Sequence, residues 1–256
     1  MRATYQILHI TDLHLCADAG QLLHGWPVEQ AFQRVLAAAL ERTPAPDAIV
    51  LGGDLVDDGS LAGYQRLDAT LAGLPCPVLA MAGNHDDPHR MAQTLVHAVV
   101  HERLQVGEWQ LIALDSHLAG SDAGELGETQ IARLDGWLAE SDAPTLLCLH
   151  HPPADVGAAW IDAIGLRDRD RLAGVIERHP QVHALLCGHA HQAAALDFAG
   201  RACLVTPSTM RQFAPGARCF AQDDRRAPGY RSIQLSANQG AASTVERVPW
   251  RDHGCG

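Results

Sequence analysis

The chain has 256 residues, 47 % of them hydrophobic, with 30 acidic against 19 basic side chains and a formal net charge of −11. That is ample for a buried core; the charge excludes a basic face for nucleic acid, because polyanions are repelled. No apolar run nears the roughly 20 residues that a membrane-spanning helix needs. Met1-Arg2 leads almost directly into an apolar run without a signal-peptide pattern, which predicts a cytoplasmic protein that engages no membrane. The seven cysteines (16, 76, 148, 187, 203, 219 and 255) are odd in number, scattered and never in a CxxC pair. Neither a disulfide framework nor a thiolate zinc site is expected, and most cysteines read as buried small hydrophobes.

In chain order, residues 7–11 read as a buried strand that runs into Asp12-Leu13-His14. Val28, Phe32, Val35, Leu36, Ala39 and Leu40 recur at helical spacing, ended by Pro44 and Pro46. Residues 48–51 form a second short strand followed by Gly52-Gly53-Asp54. Ser60 is the N-cap of a helix carrying Leu61, Tyr64, Leu67 and Leu71, with Gly73 as its stop. A strand at 77–81 ends in Gly83-Asn84-His85-Asp86. Residues 87–107 are expected to be a helical connection around Met91, Leu95 and Val99, with His89, His97 and His101 in solvent.

A strand over 109–114 precedes the loop Asp115-Ser116-His117, and a helix carries Ile131, Leu134 and Leu138. The strand at 145–149 stops at His150-His151-Pro152-Pro153, where proline forces the chain out of the sheet. A helix with Leu172, Val175 and Ile176 and a strand at 182–187 deliver Gly188-His189-Ala190-His191. If that strand continues through the histidines, residues two apart share a face and both imidazoles project to one spot. Strands at 201–205 and 230–235 follow, joined by a Pro/Gly-rich loop.

Each acidic or histidine cluster alone reads equally as an ordinary turn. Five at the ends of apolar strands are another matter, because sites in α/β sheets assemble at strand ends and the loops after them. The convergence predicts a shared metal site in a single α/β domain.

The order Asp-x-His, Gly-Asp, Gly-Asn-His-Asp, His, Gly-His-x-His over residues 7–191 resembles the calcineurin-like metallophosphoesterases. The resemblance implies a four-layer αββα sandwich over 1–256, completed by a segment from about 206 to 256. It implies two metals, with Asp12, His14 and His191 on one, Asn84, His150 and His189 on the other, and Asp54 bridging; His151 is the lesser candidate of its pair. Mixed oxygen and nitrogen donors suit manganese, iron or zinc better than magnesium or calcium. By the same likeness, Asn84 and His85 meet the substrate, His85 stabilises phosphoryl oxygens or protonates the leaving oxygen, and Asp57 orients His85. A cap on the following helix is the equal alternative for Asp57.

The phosphoprotein phosphatases carry a phosphate-binding arginine where this chain has Asp58, and Glu where it has Asp86, which argues against a phosphoprotein substrate. Tyr64-Gln65, Leu114-Asp115-Ser116, Gly124-Glu125-Leu126, Trp160-Ile161-Asp162, Thr206-Pro207-Ser208-Thr209, Gln212-Phe213 and Ala227-Pro228-Gly229-Tyr230 resemble the bacterial class III cyclic-nucleotide phosphodiesterases. The implied reaction is attack of a metal-bridging hydroxide on 3′,5′-cyclic AMP to give 5′-AMP. A homodimer is compatible with this family. Trp26, Trp160 and Phe213 are candidates for stacking on adenine, with core packing the plainer reading of each. Glycerophosphodiesters or other small phosphoesters are the alternative substrates, and a non-catalytic scaffold is the alternative class, against which the complete ligand set and His85 speak.

Overall fold

The computed structural model describes residues 4–236 and 240–250. Met1, Arg2, Cys255 and the end of the 206–256 segment lie outside them. The first part of the chain alternates strand and helix: β1 (Tyr5–Ile10), α1 (Val28–Arg42), β2 (Ala48–Leu51), α2 (Leu61–Leu71), β3 (Val78–Ala80), α3 (Pro88–Thr94) and β4 (Val99–Val100). The four strands pair in parallel, as crossover helices require. The scheme repeats with β5 (Arg103–Val106), β6 (Trp109–Ala113), α4 (Gly127–Ala139), β7 (Thr145–Cys148), α5 (Ala159–Asp162), α6 (Arg169–Arg178), β8 (Val182–Cys187), β9 (Ala194–Phe198) and β10 (Arg201–Val205). Here β6, β7, β8 and β10 are parallel, and β5 and β9 close the edges antiparallel.

After a ribbon of β11 (Gln212–Phe213) and β12 (Gln222–Asp223), the hairpin β13 (Gly229–Ser236) and β14 (Gly240–Arg247) returns to the first sheet, β13 lying antiparallel to β1. Two six-stranded sheets result, ordered β14-β13-β1-β2-β3-β4 and β5-β6-β7-β8-β10-β9.

Strand alternation sorts the apolar residues of the described strands into three large cores. Leu8, Ile10, Ile49 and Leu51 face α1 and α2, meeting Phe32, Val35 and Leu67. Ile112, Leu147, Leu185 and Cys187 face α4 and α6, meeting Leu134, Leu138 and Leu172. Ile7, Val50, Leu79, Leu111, Leu146, Leu186 and Ile233 fill the space between the sheets. This is the expected four-layer αββα sandwich. Cys16, Cys148, Cys187 and Cys203 are buried thiols as expected, whereas Cys219 is exposed.

Ser60 caps α2 by accepting from Gly63 N at 3.3 Å. The stretch after Asp87 departs from expectation. The helix after Asp87 ends at Thr94, and Val99 belongs to β4, because its β-branched pair Val99-Val100 extends the sheet beside β3. His101 is not solvated either: its Nε2 accepts from Ala82 N at 2.8 Å, whereas His89 and His97 are exposed.

Between the sheets a linked polar trio of His9, Thr206 and Arg231 interrupts the apolar filling. His9 of β1 lies opposite Arg231 of β13, and both are buried. Thr206 Oγ1 sits 2.7 Å from His9 Nδ1 and accepts from Arg231 Nε at 3.3 Å, while the guanidinium also donates to Val205 O at 2.7 Å. Burial, helped by the Arg231 charge, pushes the His9 imidazole down from 6.5 to about 3. The native state thus holds His9 neutral while the unfolded chain protonates it near pH 6.5, so stability is lost as pH falls through that value. Lowering pH from about 7.5 to about 5.5 should cost about 1.4 kcal/mol through this residue. Urea unfolding of the wild type and His9→Gln at both pH values measures it. The wild type should lose that much more stability than the variant, and equal losses would mean that His9 is protonated in the fold.

Candidate metal centre

Parallel strands in both sheets bring the loops after β1, β2, β3, β7 and β8 to one edge of the sandwich. The loops after β1 and β2 run side by side, with Asp12 N donating to Gly53 O at 3.0 Å and His14 N to Asp54 O at 2.9 Å. Gly188 N donates to His150 O at 3.0 Å, which ties the loops after β7 and β8. His189 N, donating to Asp12 Oδ1 at 3.0 Å, joins the two sheets.

The local backbone is not the extended chain that the sequence suggested. β1 ends at Ile10 and β8 at Cys187, and Asp12, His14, Asp54, His189 and His191 all lie in the left-handed region, with φ of 55°, 50°, 49°, 65° and 47°. That conformation costs an L-residue on the order of 1–2 kcal/mol; Asp and His are among the types that tolerate it. The side chains therefore converge through successive left-handed turns rather than through strand alternation. Two glycines make room for them. A Cβ on Gly83 would overlap the Asp54 carboxylate, and one on Gly188 would overlap Thr11 Oγ1 and stand 2.8 Å from Asp12 Oδ2.

All seven residues expected as ligands meet here. Asp12, His14 and His191 bring ligand atoms within 4.8 Å of one another, as do Asp12, Asp54 and His150. Asp54 Oδ2 lies between the groups, 3.6 Å from His14 Nε2 and 3.3 Å from His150 Nε2. His189 Nδ1 is 3.0 Å from Asn84 Oδ1. His189 and His191 thus face different partners, since His191 Nε2 is 3.1 Å from His14 Nε2 and 3.4 Å from Asp12 Oδ1. His151 is also near His150 and His189, but its nitrogens are engaged, Nδ1 with Ser116 Oγ at 2.8 Å and Nε2 with Asp122 O at 3.2 Å.

The chemistry of this packing fits cations. His14 Nδ1 is 2.9 Å from Asp57 Oδ1, His150 Nδ1 is 2.8 Å from Gly52 O, and His191 Nδ1 is 2.8 Å from Arg211 O. Each ring donates its Nδ1 hydrogen to a fixed oxygen, which leaves Nε2 as a lone-pair donor. As neutral rings they turn Nε2 lone pairs toward one another and toward the Asp12 and Asp54 oxygens, and His150 Nε2 and His189 Nε2 are buried without any hydrogen-bond partner. Acceptors crowded against acceptors in a dry site repel unless positive charge lies among them.

The protein's own charges are strongly coupled here. Burial opposes ionisation of Asp12 and Asp54, yet the His191 imidazole beside Asp12 and the His150 imidazole beside Asp54 hold both carboxyls below the usual range. Burial alone would lower His150, but the Asp54 carboxylate lifts it to about 9. His189, buried and next to His150, falls to about 3.

His85 stands at the edge of the cluster with its side chain 41 % exposed and Nδ1 3.1 Å from Asp57 Oδ1. Despite burial, its hydrogen bond with Asp57 and the charge of Asp54 raise it to about 10. Asp57 does not cap α2, which Ser60 does; one carboxylate oxygen serves both His14 and His85. Asp58, at the position of the missing arginine, accepts from Ala17 N at 2.9 Å and Ser60 N at 3.1 Å and has a structural role.

Several supporting residues escaped the sequence reading. Asp86 is buried and accepts from Leu55 N, Val56 N, Gly83 N and Tyr64 Oη at 2.8–3.2 Å, clasping the loops that carry Asp54 and Asn84. Ser208 Oγ donates to Asp12 O at 2.8 Å. Only the adjacency of Asp86 to Gly83-Asn84-His85 hinted at the first, and the Thr206-Pro207-Ser208-Thr209 stretch marked the second without indicating its partner. A cleft of about 300 Å³ opens over the cluster, lined on one side by His14, Asp54, Asn84, His85, His189 and His191 and on the other by Trp160, Phe213 and Phe220.

Comparison with known proteins agrees with this architecture. The chain is 40 % identical over 252 residues to the 3′,5′-cyclic adenosine monophosphate phosphodiesterase CpdA of Escherichia coli, covering 96 % of this chain and 90 % of that protein. It is 33 % identical over 248 residues to the Pseudomonas aeruginosa protein of the same name, covering 96 % and 91 %. A dimetal phosphatase from Danio rerio shares the fold at a TM-score of 0.64 and 16 % identity, over 96 % of this chain and 99 % of that one. The family model of the calcineurin-like phosphoesterases matches residues 5–193, the span that holds all seven clustered ligand candidates, and the chain belongs to that family.

Proposed function

We propose that the chain is a 3′,5′-cyclic AMP phosphodiesterase that yields 5′-AMP at a paired metal site. The observation that carries the reading is identity spread over nearly the whole chain to proteins named for that activity, on top of a complete donor cluster. That the chain is a cyclic-nucleotide phosphodiesterase follows from these relatives; the base, the metals and the residue roles are the proposal.

Calcineurin-like phosphoesterases bind two divalent metals, and the cluster offers a set for each. Asp12, His14 and His191 would hold one, Asn84, His150 and His189 the other, and Asp54, whose Oδ2 reaches toward both His14 and His150, would serve both. The pair supplies Lewis acidity toward phosphoryl oxygens and a nucleophile from water at neutral pH. Manganese, iron and zinc match the donors.

The chain's own groups do the rest. Asp12 and Asp54 supply two buried negative charges that fix the cations and keep the cleft from favouring free anions. Asp57 accepts a hydrogen bond from His85 Nδ1 and so turns the ring and favours its protonated form. His85 Nε2 is then a proton donor for the ribose 3′ oxygen as its bond to phosphorus breaks, the positioned acid such an alkoxide needs. Asn84 and His85, on the rigid loop clasped by Asp86, also meet the phosphoryl oxygens.

Metal-loaded protein should turn 3′,5′-cyclic AMP into 5′-AMP in preference to glycerophosphodiesters, read by chromatography of products from a panel of both. A clear preference for the glycerophosphodiesters would sink the proposal. Asp54→Ala should lose bound metal together with activity, whereas His85→Ala should keep its metal by elemental analysis and lose turnover by about 10²–10⁴-fold. An emptied site in the His85 variant would contradict the role given to it.

A further inference from the structure

The cleft is two-sided, and the metal cluster accounts for one side only. The other is aromatic. Trp160 of α5, Phe213 of β11 and Phe220 of the loop after it meet edge to face, with centroids 5.0 Å (Trp160–Phe213), 5.2 Å (Trp160–Phe220) and 5.4 Å (Phe213–Phe220) apart. The face of Phe213 is taken: it stacks on the His191 ring at 4.1 Å and 6°. Phe220 is 60 % exposed, and of the four exposed large hydrophobics among the described residues (Leu22, Leu61, Val96, Phe220) it is the one that lines this cleft. A bare aromatic face beside a polar site marks a place where an apolar surface is covered on binding. Arg211 and Gln222, on the same ribbon, add a guanidinium and an amide at the cleft wall.

A phosphoryl group and a glycerol are polar throughout and leave this wall uncovered, whereas a heteroaromatic base has one flat face to stack and a polar edge to hydrogen-bond. We infer that Trp160, Phe213 and Phe220 form the subsite for the substrate's nucleobase, with Phe220 the face on which the base stacks and Phe213 the ring that fixes His191 behind it. The inference rests on the cyclic-nucleotide reading above and names the residues that hold the base.

Phe220 is exposed and lies outside the buried cores, so its replacement spares them. In the metal-loaded enzyme Phe220→Ala should raise KM for cyclic AMP about tenfold and weaken inhibition by 5′-AMP by the same factor, while Phe220→Tyr stays near wild type. Inhibition by ribose 5-phosphate, which has the phosphate and sugar but no base, should not change. Equal weakening of both inhibitors, or no change in either, overturns the inference. If the wild type does not hydrolyse cyclic AMP, that activity reading fails by itself; calorimetric binding of 5′-AMP against ribose 5-phosphate in wild type and Phe220→Ala then decides the base subsite separately.

Discussion

Two carboxylates buried where the sheets meet are the constraint on which the structure turns. Taking an ion out of water costs several kcal/mol even after relaxation, so Asp12 and Asp54 must be met by fixed donors, and the fold supplies them from neighbouring loops. His189 N of the β8 loop donates to Asp12 Oδ1. His85 N of the β3 loop donates to Asp54 Oδ1 at 2.9 Å. Asp86 reverses the direction, accepting from Leu55 and Val56 of the β2 loop. Three loops thus lend an amide to an acid on another, and backbone bonds to Gly53 O, Asp54 O and His150 O tie in the loops after β1 and β7.

The same constraint explains the left-handed turns. A strand that simply continued past Ile10 or Cys187 would send alternate side chains into the core between the sheets and into the helical layers, as Leu8 and Ile7 are sent. Turning each of Asp12, His14, Asp54, His189 and His191 into positive φ lifts the chain clear of both layers and aims short polar side chains at a common point. Strain stored at a site is sustained only where surroundings over-determine it, and the amide clasps do that here.

Much of the fold and the identity of the clustered groups were legible in the sequence, because both are written locally. Parallel strands buried on two faces read as apolar runs such as Ala48-Ile49-Val50-Leu51, and helices such as α1 show their period. What stayed illegible depends on distant partners. Val99-Val100 is a strand only because β3 offers an edge. The edge strands β9 and β14 are half exposed and carry no strong pattern. His101 and His151 look like surface or ligand histidines until Ala82, Ser116 and Asp122 are brought to them. The alternation argument for His189 and His191 rests on an extended strand that the left-handed backbone at both residues does not form, since periodicity says nothing about a chain that has already left its strand.

Among the described residues, the part of the chain beyond the family model's match, after residue 193, contributes none of the clustered donors and yet shapes what they can do. Ser208 and Thr209 grip the Asp12 carbonyl, Arg211 O takes the His191 Nδ1 hydrogen, and Phe213 stacks on the same ring. Arg231 reaches back between the sheets to Thr206 and so to His9, three residues before Asp12. A donor cluster shared by a whole family has to be set to one substrate by something outside it. In this chain the ribbon of β11 and β12 both braces one histidine of the cluster and forms the far wall of the cleft. A change at Phe213, unlike one at Phe220, would therefore act on the far wall of the cleft and on the seating of His191 together, without altering a single ligand candidate.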